Sequence, residues 1–71
     1  MSVFSERVSQ LMQDKGYSNG MMAVKTGLTE SEISRYRNGH RMPKAENLLL
    51  MAYALDVEPE WLMGQEKGNK K

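Results

Sequence analysis

The sequence has no cysteine and a single histidine, His40, among its 71 residues. No disulfide can staple the chain, and a zinc site built from thiolates and imidazoles is excluded. A chain without cysteine fits a reducing compartment. Long apolar runs are missing as well. The longest, Leu48 to Leu55, is eight residues, against the ~20 that a helix needs to cross a bilayer. The amino end, MSVFSERVSQ, carries Glu6 and has no apolar stretch of the kind a secretory signal requires. These features predict a cytoplasmic protein with no membrane partner. No alternating run of β-branched residues marks a strand. No Ser/His/Asp set, glycine-rich phosphate loop or metal-ligand cluster is present. No enzyme activity, cofactor, metal or small-molecule substrate is therefore expected.

An excess of charge is also lacking. Ten Lys and Arg stand against nine Asp and Glu, for a formal net charge of +1. The distribution says more than the total. Between Lys25 and Lys44 lie five basic residues, Lys25, Arg35, Arg37, Arg41 and Lys44, against Glu30 and Glu32. From Ala45 to Glu66 there are five acidic residues and neither Lys nor Arg. Lys67, Lys70 and Lys71 follow. A basic end and an acidic end make a dipole that would orient the molecule on approach to a polyanion.

What is present is helical periodicity, and it predicts an all-α, compact five-helix bundle over residues 1–64, with a polar, frayed tail at 65–71. A chain of this size is one domain. Below ~70–80 residues, a single core seldom supplies more than ~3–5 kcal/mol, so packing must be efficient. Phe4, Val8, Leu11 and Met12 put an apolar stripe on a helix from about Val3 to Lys15. Gly16 suits its left-handed C′ position. Ser18 caps a short second helix, Asn19 to about Thr26, with Met22 and Ala23 inward. Gly27 ends it and Leu28 is a buried turn residue. Thr29 and Glu32 have capping-box spacing for a third helix, Glu30 to Asn38, closed by Gly39. After the loop from His40 to Pro43, a fourth helix runs from about Ala45 to Leu55. Leu48, Leu49, Met51, Ala52 and Leu55 form its wide inward face. Pro59 opens a last turn ending near Met63. The seven Met suggest adaptable packing, with Met21 and Met63 outside. Trp61 belongs either to the core or to an interface.

The second and third helices carry the functional expectation. A helix-turn-helix crosses two helices at roughly 90–120° through a 3–4-residue turn. Close crossing needs a small residue, which Ala23 supplies. The turn needs positive φ, which Gly27 supplies. The second member needs a branched apolar residue facing the first, which Ile33 supplies. Met22, Leu28 and Tyr36 flank the seam. With Ile33 and Tyr36 inward, a rotation of ~100° per residue turns Glu30, Ser31, Ser34, Arg35 and Asn38 outward. Such a face fits the major groove of DNA. Glu30, Ser31, Ser34 and Arg35 are the candidate base readers. Arg35 can grip guanine O6 and N7, Ser31 suits either kind of base, and Glu30 can accept from cytosine N4. Ser18, Asn19, Asn38, His40 and Arg41 are the candidate phosphate contacts, although a lone histidine such as His40 is more often a solvated loop residue.

These residues resemble the Cro and repressor helix-turn-helix family of lambdoid phages, also called XRE-type. The resemblance covers about Phe4 to Gly64. It rests on Gly16 to Asn19, Met22 to Thr29, Ile33 to Tyr36 and Asn38 to Pro43. Asn47 to Leu55 and Glu58 to Gly64 extend it. It implies a lambda-repressor-like DNA-binding domain, most like a stand-alone Cro protein of a phage or prophage. By that resemblance, the protein is a transcriptional repressor. It binds a double-stranded operator of two half-sites as a homodimer in a bacterial host. The family also implies that Asn19 touches phosphate, that Glu30 and Ser31 read bases, and that Arg35 does so one turn on. Two features depart from its pattern. Glu30 and Glu32 stand where Gln, Lys or small polar residues are common, and Gly20 and Met21 replace polar helix formers. A protein-binding module on the same scaffold, such as an antitoxin, is the competing expectation.

Overall fold

Most helix ends of the computed structural model, which describes residues 2–65, fall at a local chemical signal. The order is α1 (Val3–Lys15), α2 (Asn19–Thr26), α3 (Glu30–Arg37), α4 (Ala45–Leu55) and α5 (Pro59–Leu62), with no strand among the described residues. Apart from Gln65, the expected tail at 65–71 lies outside them.

Hydroxyl caps open the first three helices. Ser2, Ser18 and Thr29 accept the N–H of Ser5, Met21 and Glu32, each at 3.1 Å. At α3 the cap is reciprocal, because the Glu32 carboxylate accepts the Thr29 N–H at 3.1 Å. These bonds satisfy donors that a helix start otherwise leaves open. Replacing Thr29 by Ala is expected to cost about 1 kcal/mol. A thermal melt should then fall by roughly 4–8 °C. An unmoved transition would mean that the capping box adds nothing to stability.

The helix ends are as specific. Gly16 has φ +72°, and the Tyr17 N–H reaches back to the Met12 carbonyl at 2.8 Å. Gly39 does the same for α3, with the His40 N–H on the Arg35 carbonyl at 2.9 Å. Asp56, at φ 62°, ends α4 by sending the Val57 N–H to the Ala52 carbonyl. All three follow the left-handed Schellman pattern.

The core gathers Phe4, Val8, Met12, Met22, Ile33, Tyr36, Met51, Ala52, Leu55 and Leu62. Phe4 meets Tyr36 edge to face at 5.9 Å between ring centres, a favoured aromatic geometry. The Tyr36 hydroxyl accepts a hydrogen bond from Asn47 Nδ2 at 2.9 Å, which ties α3 to α4. Arg7 donates to the Trp61 carbonyl and lies over its ring at 4.3 Å. Trp61 is thus half-buried against the core.

Several expectations need correction. Leu49 is 44% exposed rather than inward, because it stands ~100° from Leu48 around the helix, off the centre of the buried face. Leu11, Ala23 and Leu28 are half-buried at the rim of the core. α3 stops at Arg37, leaving Asn38 as its cap, and α5 stops at Leu62.

Candidate nucleic-acid interface

The turn between α2 and α3 fixes the site. Gly27 has φ +79°, and its N–H bonds to the Ala23 carbonyl at 2.8 Å. Thr26 is buried. Its hydroxyl donates to the Met22 carbonyl at 2.7 Å and accepts the Leu28 N–H at 3.1 Å. The chain leaves α2 and enters α3 with these polar groups satisfied. Ile33 and Tyr36 then point into the core. The opposite side of α3 faces outward, with Glu30, Ser31 and Arg35 exposed and Ser34 half-buried. The rotation inferred from the sequence is the observed one.

The proposed contacts do not all stand free. Ser18 is exposed, yet its hydroxyl oxygen is committed to the α2 cap. Asn19 is half-buried, and its Oδ1 accepts from Arg37 Nη1 at 2.8 Å. Asn38 is exposed, with Nδ2 near Ser34 Oγ at 3.4 Å. His40 and Arg41 are exposed in the α3–α4 loop. The Glu30 carboxylate lies beside Gly20 on the first turn of α2, where a Cβ on Gly20 would be 3.3 Å from Glu30 Oε2.

Two residues that sequence reasoning passed over belong with this surface. The first is Arg37, which joins the last turn of α3 to the first residue of α2. Its carbonyl also accepts from the Ser9 hydroxyl at 3.1 Å, which brings α1 into the same junction. The helical wheel already held the signal, since Arg37 falls ~20° from Glu30. The second is Lys44, at the N-cap of α4, where no side chain caps the helix. A groove of about 280 Å³ runs beside α3, lined by Arg35, Arg41 and Lys44 together with Glu32, Tyr36, Met42 and Asn47. Three cations against one carboxylate already spent on the capping box make this groove electropositive. The amino end of α4 adds the positive end of a helix dipole. A phosphate backbone running past α3 would meet charge of the right sign here.

Residues 8–62 match a family model described as helix-turn-helix. The chain belongs to the XRE-type helix-turn-helix family. Among its relatives is an HTH-type transcriptional regulator of Haemophilus influenzae, 41% identical over 59 residues, which are 83% of this chain and 24% of that protein. The restriction-modification controller protein C.AhdI of Aeromonas hydrophila is similar in structure, with a TM-score of 0.78 and 35% identity. That match covers 84% of this chain and 91% of the other. The N-terminal DNA-binding domain of SinR from Bacillus subtilis has a TM-score of 0.81 at 26% identity, over 89% and 93% of the two chains. The fold is therefore that of a lambda-repressor-like DNA-binding domain. The chain spans between about a quarter and about half the length of the curated relatives it matches. Those helix-turn-helix relatives are transcriptional regulators, and the chain is grouped with them rather than with enzymes. Among the described residues, no helix is long and apolar enough to cross a membrane, and no acidic or histidine cluster could hold a metal ion.

Proposed function

We propose that this protein is a sequence-specific, DNA-binding transcriptional regulator that lays α3 in the major groove of a double-stranded operator. The observation that carries the reading is the pairing of two surfaces: the polar outer face of α3 and the groove with Arg35, Arg41 and Lys44 beside it. In this reading Ser31, Ser34 and Arg35 read base edges, with Glu30 at the margin of that face. Asn19, Asn38, His40, Arg41 and Lys44 meet phosphates, and Ser18 shapes the α2 start from which Asn19 projects.

The finer reading is a Cro-like repressor that binds two half-sites as a homodimer in the bacterial cytoplasm. Bacterial helix-turn-helix relatives support the setting. Exposed Leu49 and Tyr53, one turn apart on α4, supply apolar surface for a second copy. A protein-binding role has its own observation. Met21 is 45% and Val24 84% exposed on α2, an apolar pair that the core does not use. Co-purification of a stable hetero-complex that excludes DNA would favour that role.

Selecting sites from a random duplex pool tests the main reading. A two-part site bound with steep salt dependence is expected, and a pool that stays random would reject it. Lys44→Ala should weaken binding to all sequences alike and lower the slope of log K against log salt by about 0.9. A change of base preference would contradict the phosphate role.

A further inference from the structure

Asn19, the first residue of α2, has a side-chain amide with two unlike ends: an oxygen that accepts and a nitrogen that donates. A guanidinium can only donate. Arg37 Nη1 does so at 2.8 Å, so the oxygen of the Asn19 amide is held on the α3 side. The nitrogen end is thereby turned from Arg37. Among the described residues, no protein group accepts from Asn19 Nδ2. The Arg37 main chain is itself anchored. Its carbonyl, one of the open acceptors at the end of α3, takes the Ser9 hydroxyl of α1 at 3.1 Å. Both Arg37 and Asn19 are half-buried, and a charge-assisted bond is stronger there than in open water. Among the described residues, no carboxylate pairs with Arg37, so its charge polarises the amide it touches and makes the Asn19 N–H groups better donors.

We infer that Arg37 is a positioning residue for a phosphate contact: it holds the Asn19 amide by its oxygen, so that Nδ2 is the end presented to the DNA backbone. The inference rests on the DNA-binding reading above. Phosphate oxygens accept hydrogen bonds and offer none. An unrestrained asparagine turns either end of its amide outward, and the oxygen end would repel a phosphate. The bond from Arg37 selects the donating orientation before DNA arrives, so less rotamer freedom is lost on binding. Arg37 acts through Asn19 rather than on the phosphate itself. Its side chain is half-buried between α3 and α2, whereas Arg35 and Arg41 are exposed.

The wild type, Asn19→Ala, Arg37→Met and the double variant test this, each titrated with a duplex taken from the random-pool selection. Methionine keeps the apolar stem and removes the donors. Any loss due to the Arg37 charge alone appears in both backgrounds. Arg37→Met should weaken binding about tenfold more when residue 19 is Asn than when it is Ala. The same duplex is then made with a neutral methylphosphonate at each phosphate in turn. One phosphate per half-site should matter to the wild type and cease to matter, at that position alone, in Asn19→Ala and in Arg37→Met. Equal losses in both backgrounds overturn the inference while leaving DNA binding intact. So does a lowered melt for Arg37→Met with the phosphate pattern unchanged, which would mark Arg37 as a strut between α2 and α3. A wild type that ignores duplex overturns the DNA-binding reading instead. Where a melt shows Arg37→Met to be unfolded, Arg37→Gln replaces it. Glutamine is a good helix former and can offer Asn19 either end of its own amide, so the same outcomes decide.

Discussion

Replacing Ile33 by alanine should cost about 2–5 kcal/mol and leave much of the protein unfolded at ambient temperature. Ile33 is fully buried on α3, in a cluster that also takes in Met22 from α2 and Phe4 and Met12 from α1. Its loss removes apolar transfer energy and leaves a cavity at the junction of three helices. A domain of this size seldom has more than ~3–5 kcal/mol from its core. The deficit therefore approaches the whole stability. Each kilocalorie moves the transition by roughly 4–8 °C in so small a domain, so the melt should fall by at least about 8 °C. DNA affinity should fall in parallel, because the α2–turn–α3 unit is lost with the fold. A variant that melts like the wild type would show that Ile33 does not hold the two helices together.

Arg35→Ala should leave the melt nearly unchanged and weaken operator binding by roughly 5- to 150-fold, the equivalent of about 1–3 kcal/mol. The asymmetry follows from placement. Arg35 is exposed on the outward face of α3 and borders the basic groove with Arg41 and Lys44. Its guanidinium presents a rigid fork of donors that a point charge cannot imitate. The loss should fall on one base pair per half-site, where discrimination relaxes. Lysine at this position should restore part of the affinity and little of the preference. A titration in which Arg35→Ala weakens all duplexes equally would move Arg35 from reading bases to contacting phosphate.

The helices were legible in the sequence because their start and stop signals are local. Ser18, Thr29 and Glu32 act within one turn, and Gly16, Gly27 and Gly39 take the left-handed conformations that their positions foretold. The outward face of α3 followed from periodicity, since Ile33 and Tyr36 fix its rotation. Long-range contacts were not legible. The Asn19–Arg37 bond spans 18 residues, and its existence depends on how α2 and α3 cross. The approach of Glu30 to Gly20 depends on the same crossing angle. Leu49 was misplaced because an apolar run such as Leu48 to Leu55 carries no polar residue to mark its solvent side.

The two acidic residues of α3 part company in the structure. Glu32 is half-buried and serves the capping box, so its charge is a requirement of local folding. Glu30 has no such duty and rests on a neighbouring helix. One acid near the DNA face is thus explained by helix nucleation. Both lie in the first turn of α3, where negative charge suits the helix dipole.

The central claim is met most directly by residue-resolved magnetic resonance of the isotope-labelled protein during titration with a selected duplex. The account predicts salt-sensitive shifts concentrated at Ser31, Ser34, Arg35, Asn38, Arg41 and Lys44, with Gln10 and Asp14 on α1 unmoved. Shifts centred on α1 or α5, or a spectrum that duplex leaves untouched at low salt, would contradict it.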